Sequence, residues 1–112
     1  MNHSTQFLSA STLNGDNVCN PQGETLGDLK DIMIDTRTGK IAYGVLAFGG
    51  VFGMGEKLFA VPWTALSVDG ENKQLLLNVS KDRLKDAPGF DKDHWPNFSD
   101  PAFTQQIHSY YG

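Results

Sequence analysis

The strongest structural signal in the chain lies in residues 26–43, which read LGDLKDIMIDTRTGKIAY. Most apolar residues in its first half alternate with polar ones, as they do along one face of a β-strand. Leu29 breaks this pattern, because it has the opposite parity to Leu26 and Ile32. A β-bulge near residues 30–31, or a twisted strand covered on both faces, would accommodate it. Bulges of this kind are typical of sheets that curl into a barrel.

A tight turn follows this strand. Asp35 can accept hydrogen bonds from backbone amides two residues further on, and Gly39 can adopt a positive φ. The sequence between them, Thr36 to Thr38, is polar. The pattern predicts a β-hairpin, with the second strand beginning near Lys40.

The rest of residues 9–79 also reads as short strands separated by turns. Residues 41–48 carry apolar side chains at both parities, which predicts a central strand covered on two sides. Pro62 ends a later strand, since proline cannot donate a hydrogen bond to a sheet. In total we expect five to six short strands, and therefore an all-β fold, a small barrel or sandwich. The later strand segments are 57–61, 66–68 and 75–79.

The last part of the chain, residues 81–112, differs in composition. Ser80 is a candidate N-cap for a short helical turn, and Pro101 suits the first position of a second helix near 101–111. Six aromatic residues lie between 90 and 112. Because disordered tails are poor in aromatic residues, we expect this extension to be ordered and packed on the barrel or on another subunit. The chain thus divides into an N-terminal segment 1–8, a barrel domain 9–80 and an aromatic-rich extension 81–112.

Three segments together resemble the PRC-barrel family. They are LGDLKDIMID at 26–35, TGKIAY at 38–43 and FAVPW at 59–63. The family is named after the cytoplasmic domain of the photosynthetic reaction-centre H subunit, and a related barrel forms the C-terminal domain of the 16S ribosomal RNA maturation factor. Residues 87–96 resemble the extension of stand-alone bacterial PRC-barrel proteins. The resemblance implies a small PRC-type β-barrel that mediates protein contacts, and it supplies no catalytic motif.

Charge and hydropathy disfavour several classes of partner. Nine Lys and Arg against 13 Asp and Glu give a net charge of −4, without a basic block. Direct binding of nucleic acid and docking on an anionic membrane are therefore disfavoured. The longest uncharged stretch, residues 41–55, is glycine-rich and too short for a membrane-spanning helix. Residues 1–4 lack the features of a signal peptide, so we expect a cytoplasmic protein without membrane insertion.

The residues that could carry chemistry do not form a recognisable site. Asp91, Asp93 and His94 are close in sequence but lack the further ligands that calcium or zinc requires. Cys19 is the single cysteine and has no His or Arg neighbour to activate it. The glycine-rich loop 49–55 precedes a strand rather than a helix, which favours a hairpin connection over a phosphate cradle. We therefore expect no enzyme activity, no catalytic residues, no cofactor and no metal.

Apolar side chains outside the expected core point to protein contacts instead. The sequence predicts a non-enzymatic interaction module that forms a homodimer and binds an unidentified protein partner. One alternative is a factor associated with ribosomes or RNA processing, which the family relative suggests. Another is a small-molecule binder or enzyme that uses the barrel mouth near residues 49–55. The candidate interface residues are Val51, Phe52 and Met54 in the loop, and Trp95, Phe98, Tyr110 and Tyr111 in the extension.

Overall fold

One curled sheet dominates the computed structural model, which describes residues 7–49 and 56–112. Within those residues the sheet has six strands and forms a half-barrel, as the sequence predicts for an all-β fold. The strands are β1 (Asn17–Cys19), β2 (Thr25–Asp35), β3 (Lys40–Phe48), β4 (Lys57–Pro62), β5 (Leu66–Asp69) and β6 (Gln74–Leu77). The helices are α1 (Ala10–Leu13), α2 (Lys81–Lys85) and α3 (Pro101–Tyr111), and a 3₁₀ turn (Trp63–Ala65) joins β4 to β5.

The strand order across the sheet is β4-β3-β2-β1-β6-β5. Neighbouring strands run antiparallel, with one exception in the middle of the sheet. There β1 runs parallel to β6, with Val18 opposite Leu75. This pair joins the long β2–β3–β4 meander to the small β5–β6 hairpin.

The bulge predicted in β2 is present. Leu29 pairs with Leu46 and Asp31 pairs with Val45, so Lys30 is the extra residue. Because of this extra residue, the side chains of Leu29 and Ile32 point to the same face of the sheet, and both pack in the inner core. A second irregularity lies at Leu26, between the Val18–Gly27 and Cys19–Thr25 pairs, and Leu26 is also fully buried.

The predicted turn after β2 is confirmed. The Asp35 carboxylate accepts a hydrogen bond from the Arg37 backbone N–H at 2.9 Å, and Gly39 has φ = 77°. The Arg37 side chain also bonds this carboxylate, and its hydrogen bond is the main reason that the pKa of Asp35 lies below its usual value. The turn fixes the register of the β2–β3 hairpin, in which Asp35 pairs with Lys40.

Apolar side chains pack on both faces of the sheet, and β3 is covered on both sides as predicted. Its inward residue Leu46 and its outward residue Val45 are both buried. The inner core is closed at one end by Leu84 of α2, whose N-cap Ser80 accepts a hydrogen bond from the Arg83 N–H at 3.1 Å. Residues of the inner core include Val18, Leu26, Leu29, Leu46, Phe59, Val61, Leu75 and Leu77.

The predicted C-terminal helix is present as α3. Asp100 caps its N-terminus by accepting a hydrogen bond from the Ala102 N–H at 3.0 Å, and Pro101 occupies the first turn. Ile107 is buried against Tyr43 and Ala60 on the outer face of β3 and β4. In the single chain, the extension therefore packs on its own sheet.

Helix α1 is not foreseen by the sequence patterns, which place only strand and turn signals near residues 13–18. It has four residues, too few to display a helical period. Its last residue, Leu13, is buried in the inner core, and this burial stabilises the short helix.

A buried asparagine joins the β1–β2 turn to the end of β6. The Asn20 side-chain amide donates to Glu24 Oε1 at 2.7 Å and to the Val79 carbonyl at 3.1 Å. Its carbonyl oxygen accepts from the Glu24 N–H at 2.9 Å. The Asn20 hydrogen bond, followed by that from the Lys81 N–H, lowers the pKa of the exposed Glu24 carboxyl below 4.5. The local sequence gives no sign of this link, because Val79 is 59 residues away in the chain.

We expect the Glu24 contact to make the domain acid-sensitive. The folded-state pKa lies below the unfolded value of 4.5, so the stabilisation is complete above about pH 4.5 and is lost as pH falls through the folded-state pKa. Urea unfolding at about pH 6 and about pH 3 measures this loss. Glu24→Gln should show a smaller loss of stability between the two pH values than the wild type. Glu71→Gln, at an exposed position in the β5–β6 turn, controls for the removal of one negative charge. Equal losses in the wild type and Glu24→Gln would contradict the prediction.

Candidate protein-interaction surface

Aromatic side chains of the extension cover the outer face of β3. Tyr43 points outward from this strand and is buried. The ring of Phe98 lies 5.5 Å from that of Tyr43, and Phe103 lies 5.4 Å from Phe98 in an edge-to-face arrangement. Such tilted contacts between rings are favourable beyond the area that they bury. Most of the aromatic content of the extension is therefore used within the chain.

Phe90 anchors the start of the extension to the edge of the sheet. Its N–H donates to the Leu58 carbonyl and its carbonyl accepts from the Leu58 N–H, both at 2.8 Å. These two bonds form an isolated antiparallel bridge along β4. The bridge covers part of the β4 edge and fixes the Phe90 ring under Trp95.

Trp95 is an exposed side chain in a fixed position. Its ring lies 5.1 Å from Phe90 and 6.3 Å from Phe98. The indole N–H donates to the Lys92 carbonyl at 3.0 Å. Even so, 40% of the residue remains exposed. The chain thus presents a rigid aromatic surface to the solvent.

The turn before Trp95 is held by Asp91. Its Oδ1 atom accepts from the Asp93 N–H at 3.0 Å and lies 2.7 Å from His94 Nδ1. The His94 hydrogen bond is the largest reason that the pKa of Asp91 is lowered. All three side chains are exposed. Within residues 7–49 and 56–112, no three His, Cys, Asp or Glu residues are grouped as they would be around a metal ion. The arrangement shapes the turn that carries Trp95.

Tyr110 connects α3 to α2. Arg83 Nη2 donates to the Tyr110 carbonyl at 2.6 Å, and the Tyr110 hydroxyl donates to the Arg83 carbonyl. The Arg83 guanidinium also lies 4.4 Å from the centre of the Tyr110 ring, a cation–π distance. Tyr110 is therefore only partly available to a partner.

Tyr111 lies between the inner core and the outer aromatic cluster. It packs against both, and its hydroxyl is buried without a hydrogen-bond partner among the described residues. Burial raises the pKa of Tyr111 above its ordinary value. Two open clefts of about 330 and 290 Å³ adjoin this ring, one beside Arg83 and one beside His108.

The predicted interface residues have different positions in the structure. Val51, Phe52 and Met54 lie outside the described residues, as does most of the barrel mouth predicted near 49–55. Trp95 is exposed, whereas Phe98, Tyr110 and Tyr111 are partly buried by their own chain. Their role in binding stays a prediction. Phe98 has the aromatic neighbours Tyr43, Phe90 and Phe103, so it supports Trp95 more than it contributes surface.

Two exposed apolar residues on strands are not singled out by the sequence. Ile34 in β2 is 57% exposed and Val68 in β5 is 43% exposed. Both alternate correctly with their neighbours, so the sequence pattern places them on a strand face without showing whether that face is covered. Among the described residues, no helix is both long and apolar enough to cross a lipid bilayer.

Comparisons with known proteins identify a family for the chain. A model of the PRC-barrel domain matches residues 6–84. No curated protein matches the chain. Among solved structures, a 16S ribosomal RNA processing protein, RimM, from Pseudomonas aeruginosa is 16% identical, with a TM-score of 0.43. The match covers 73% of this chain and 50% of that one, so the chain spans half the length of this structure.

Proposed function

The chain belongs to the PRC-barrel domain family, and from this premise we propose that it is a non-enzymatic protein–protein interaction module. In this proposal it forms a homodimer and also binds a further protein partner. Residues 9–80 form the barrel domain, and residues 81–112 form the extension that presents the binding surface. The observation that carries the proposal is the fixed and exposed ring of Trp95.

A rigid exposed tryptophan is suited to binding. Tryptophan is enriched among the residues that dominate binding energy, and aromatic residues are enriched in interfaces generally. The Phe90 ring and the Lys92 carbonyl hold Trp95 in place before any partner arrives. Little side-chain entropy is then lost on association, and this preorganisation increases affinity.

Four carboxylates have lowered pKa values because they form hydrogen bonds within the fold. A general base works best when its pKa lies near the working pH. The pKa values of Glu24, Asp35, Asp69 and Asp91 are instead lowered, chiefly by hydrogen bonds from Asn20, Arg37, Asn72 and His94 respectively. In each case the hydrogen bond belongs to a turn or connects two segments of the fold. These carboxylates therefore have a structural use.

Replacing Trp95 with alanine is expected to weaken capture of the partner by about 30-fold, the effect of losing a strong interface anchor. The assay uses the purified wild-type chain as bait in a lysate of its native host, followed by titration of the protein it retains. Phe7→Ala is the matched control, because Phe7 is 86% exposed and lies outside the aromatic cluster around Trp95. Both variants should remain folded by circular dichroism.

Light scattering of the wild-type chain tests the homodimer separately. A dimer is expected over a concentration series that reaches about 100 µM, with dissociation on dilution as mass action requires. A strict monomer would contradict the homodimer. Equal capture of the same partner by the wild type and Trp95→Ala would contradict the role of Trp95.

A further inference from the structure

The two edge strands of the described sheet, β4 and β5, differ in how far other residues cover them. On one side, the β4 edge is covered in part by the two hydrogen bonds between Leu58 and Phe90, and it ends in Pro62. On the other side, β5 pairs with β6 and ends the strand order. An uncovered edge strand offers a row of backbone N–H and C=O groups to another extended chain.

Strand β5 is the last strand on this side of the inner core, and its apolar residue Val68 is still exposed. Val68 pairs with the buried Leu75 and lies on the same face as Leu66, which packs against the inner core. Despite this inward direction, 43% of Val68 is exposed. One more strand beside β5 would cover it.

Apart from its short length and the terminal Asp69, strand β5 lacks the features that usually protect an edge. Its residues Leu66, Ser67 and Val68 include no charge and no proline, and its register with β6 is regular. Natural edge strands commonly carry a lysine, a proline or a bulge that prevents pairing. The one charged residue, Asp69, accepts hydrogen bonds from Asn72 and Gln74 in the adjoining turn.

We propose that β5 pairs antiparallel with β5 of a second copy of this chain, so that the sheet continues across a two-fold axis. This inference rests on the homodimer of the proposed function and identifies the surface that forms it. A two-fold axis perpendicular to the sheet keeps inward residues inward, and the axis passes through the Ser67 pair. Leu66 of each copy then lies opposite Val68 of the other, on the inner face.

Side-chain chemistry favours a second copy of the chain as the partner, and an antiparallel arrangement of the two β5 strands. The two Leu66–Val68 pairs would be apolar cross-strand pairs, which stabilise a sheet, and the small Ser67 side chains would meet on the outer face. Asp69 would lie just beyond the paired segment, near Ala65 of the 3₁₀ turn, about four residues or roughly 14 Å from the second Asp69. A parallel arrangement in the same register would instead place the two carboxylates side by side, which is unfavourable.

The first test compares two lysine substitutions by light scattering across a concentration series. Val68→Lys should raise the dissociation constant of the dimer by about 30-fold, because it buries a charge beside the two-fold axis. Ile34→Lys is the matched control, since Ile34 is more exposed and belongs to β2, which lies three strands from β5 in the strand order. That variant should dimerise like the wild type.

The second test detects the pairing directly. In a Cys19→Ser background, Ser67→Cys should form a disulfide-linked dimer on mild oxidation, because residues directly opposite have Cβ atoms within about 5.5 Å. Thr64→Cys, exposed but outside β5, should cross-link much more slowly. Hydrogen exchange at residues 66–69 should also slow as protein concentration rises.

The outcomes separate this inference from the function on which it rests. A wild-type chain that stays monomeric overturns the homodimer and the β5 pairing together. A dimer that survives Val68→Lys and shows no preferential cross-link from Ser67→Cys overturns the β5 pairing alone and leaves the homodimer standing. Slowed exchange at residues 66–69 only when a different protein is bound would show that a foreign strand occupies the edge, and would overturn the second copy as occupant.

Discussion

Replacing Gly27 with alanine is expected to lower the free energy of unfolding by about 3 kcal/mol, the upper range for a forced steric overlap in a packed core. A Cβ atom at this position would lie 2.1 Å from the carbonyl oxygen of Ala47 and 3.1 Å from its carbonyl carbon. Both are backbone atoms of the central strand β3, and Ala47 is buried. The strands would have to separate, since no side-chain rotation relieves the overlap. Urea unfolding followed by circular dichroism measures the change.

Gly23→Ala distinguishes this overlap from the ordinary conformational preference of glycine. Gly23 has φ = 86°, and no described atom lies within 4 Å of the place that an alanine Cβ would occupy. Alanine there should therefore cost about 1 kcal/mol, for the left-handed backbone alone. The comparison requires only that both variants be measured under the same conditions. A loss at Gly27 no larger than the loss at Gly23 would show that β2 and β3 are not packed as closely as described.

Replacing Ile107 with alanine is expected to destabilise the docking of α3 by about 3 kcal/mol, as for other fully buried isoleucine residues. Ile107 is the buried residue of this helix and contacts the cluster around Tyr43 and Ala60. Its truncation would leave a cavity between the helix and the outer face of the sheet. Hydrogen exchange in α3 and cleavage by chymotrypsin after its aromatic residues should both accelerate.

Gln106→Ala is the matched control, because Gln106 is the exposed neighbour of Ile107 on the same helix. It should leave exchange and cleavage near the wild-type rates. Exchange in β2 and β3 reports whether α3 opens by itself or together with the barrel. Unchanged protection of α3 in Ile107→Ala would contradict the role of this side chain as the anchor of the extension.

Local chemistry made several elements predictable from the sequence. Asp35 and Gly39 define their turn through a side-chain hydrogen bond and a positive φ, both properties of single residues. The parity of Leu29 indicated either a bulge or a strand covered on both faces, and the bulge is present at Lys30. Pro101 and the capping residue before it specified the start of α3. Each of these signals acts over a few residues, so the sequence displays it directly.

Features that depend on distant neighbours were not predictable. The alternation of Leu66 and Val68 assigns both to the inward face, but whether a further strand lies beside them depends on the strand order of the whole sheet. The burial of Asn20 depends on the Val79 carbonyl, 59 residues away in the chain. These contacts exist only once the sheet has curled.

The candidate interaction surface could be predicted from the sequence only in part. Aromatic composition indicated that residues 81–112 are ordered, but it could not distinguish packing on the same chain from packing on a partner. Phe98 and Phe103 pack on Tyr43 of their own chain, whereas Trp95 keeps 40% of its surface exposed. The difference arises from the turn at residues 91–94, whose hydrogen bonds direct the indole ring. Such orientation is a property of three-dimensional geometry.

The parallel pair β1–β6 has a consequence for the order of folding. Val18 pairs with Leu75, so the whole chain segment between them must be closed into a loop. This closure costs conformational entropy before the β1–β6 contact can stabilise the fold. The β2–β3–β4 meander, built from near neighbours, can form earlier and faster. The inner core also includes Leu84 and Ala87, so a ribosome must release the polypeptide beyond residue 87 before the barrel core is complete. A β2–β3–β4 meander that forms before β6 joins the sheet would expose the apolar inner face of its strands to solvent.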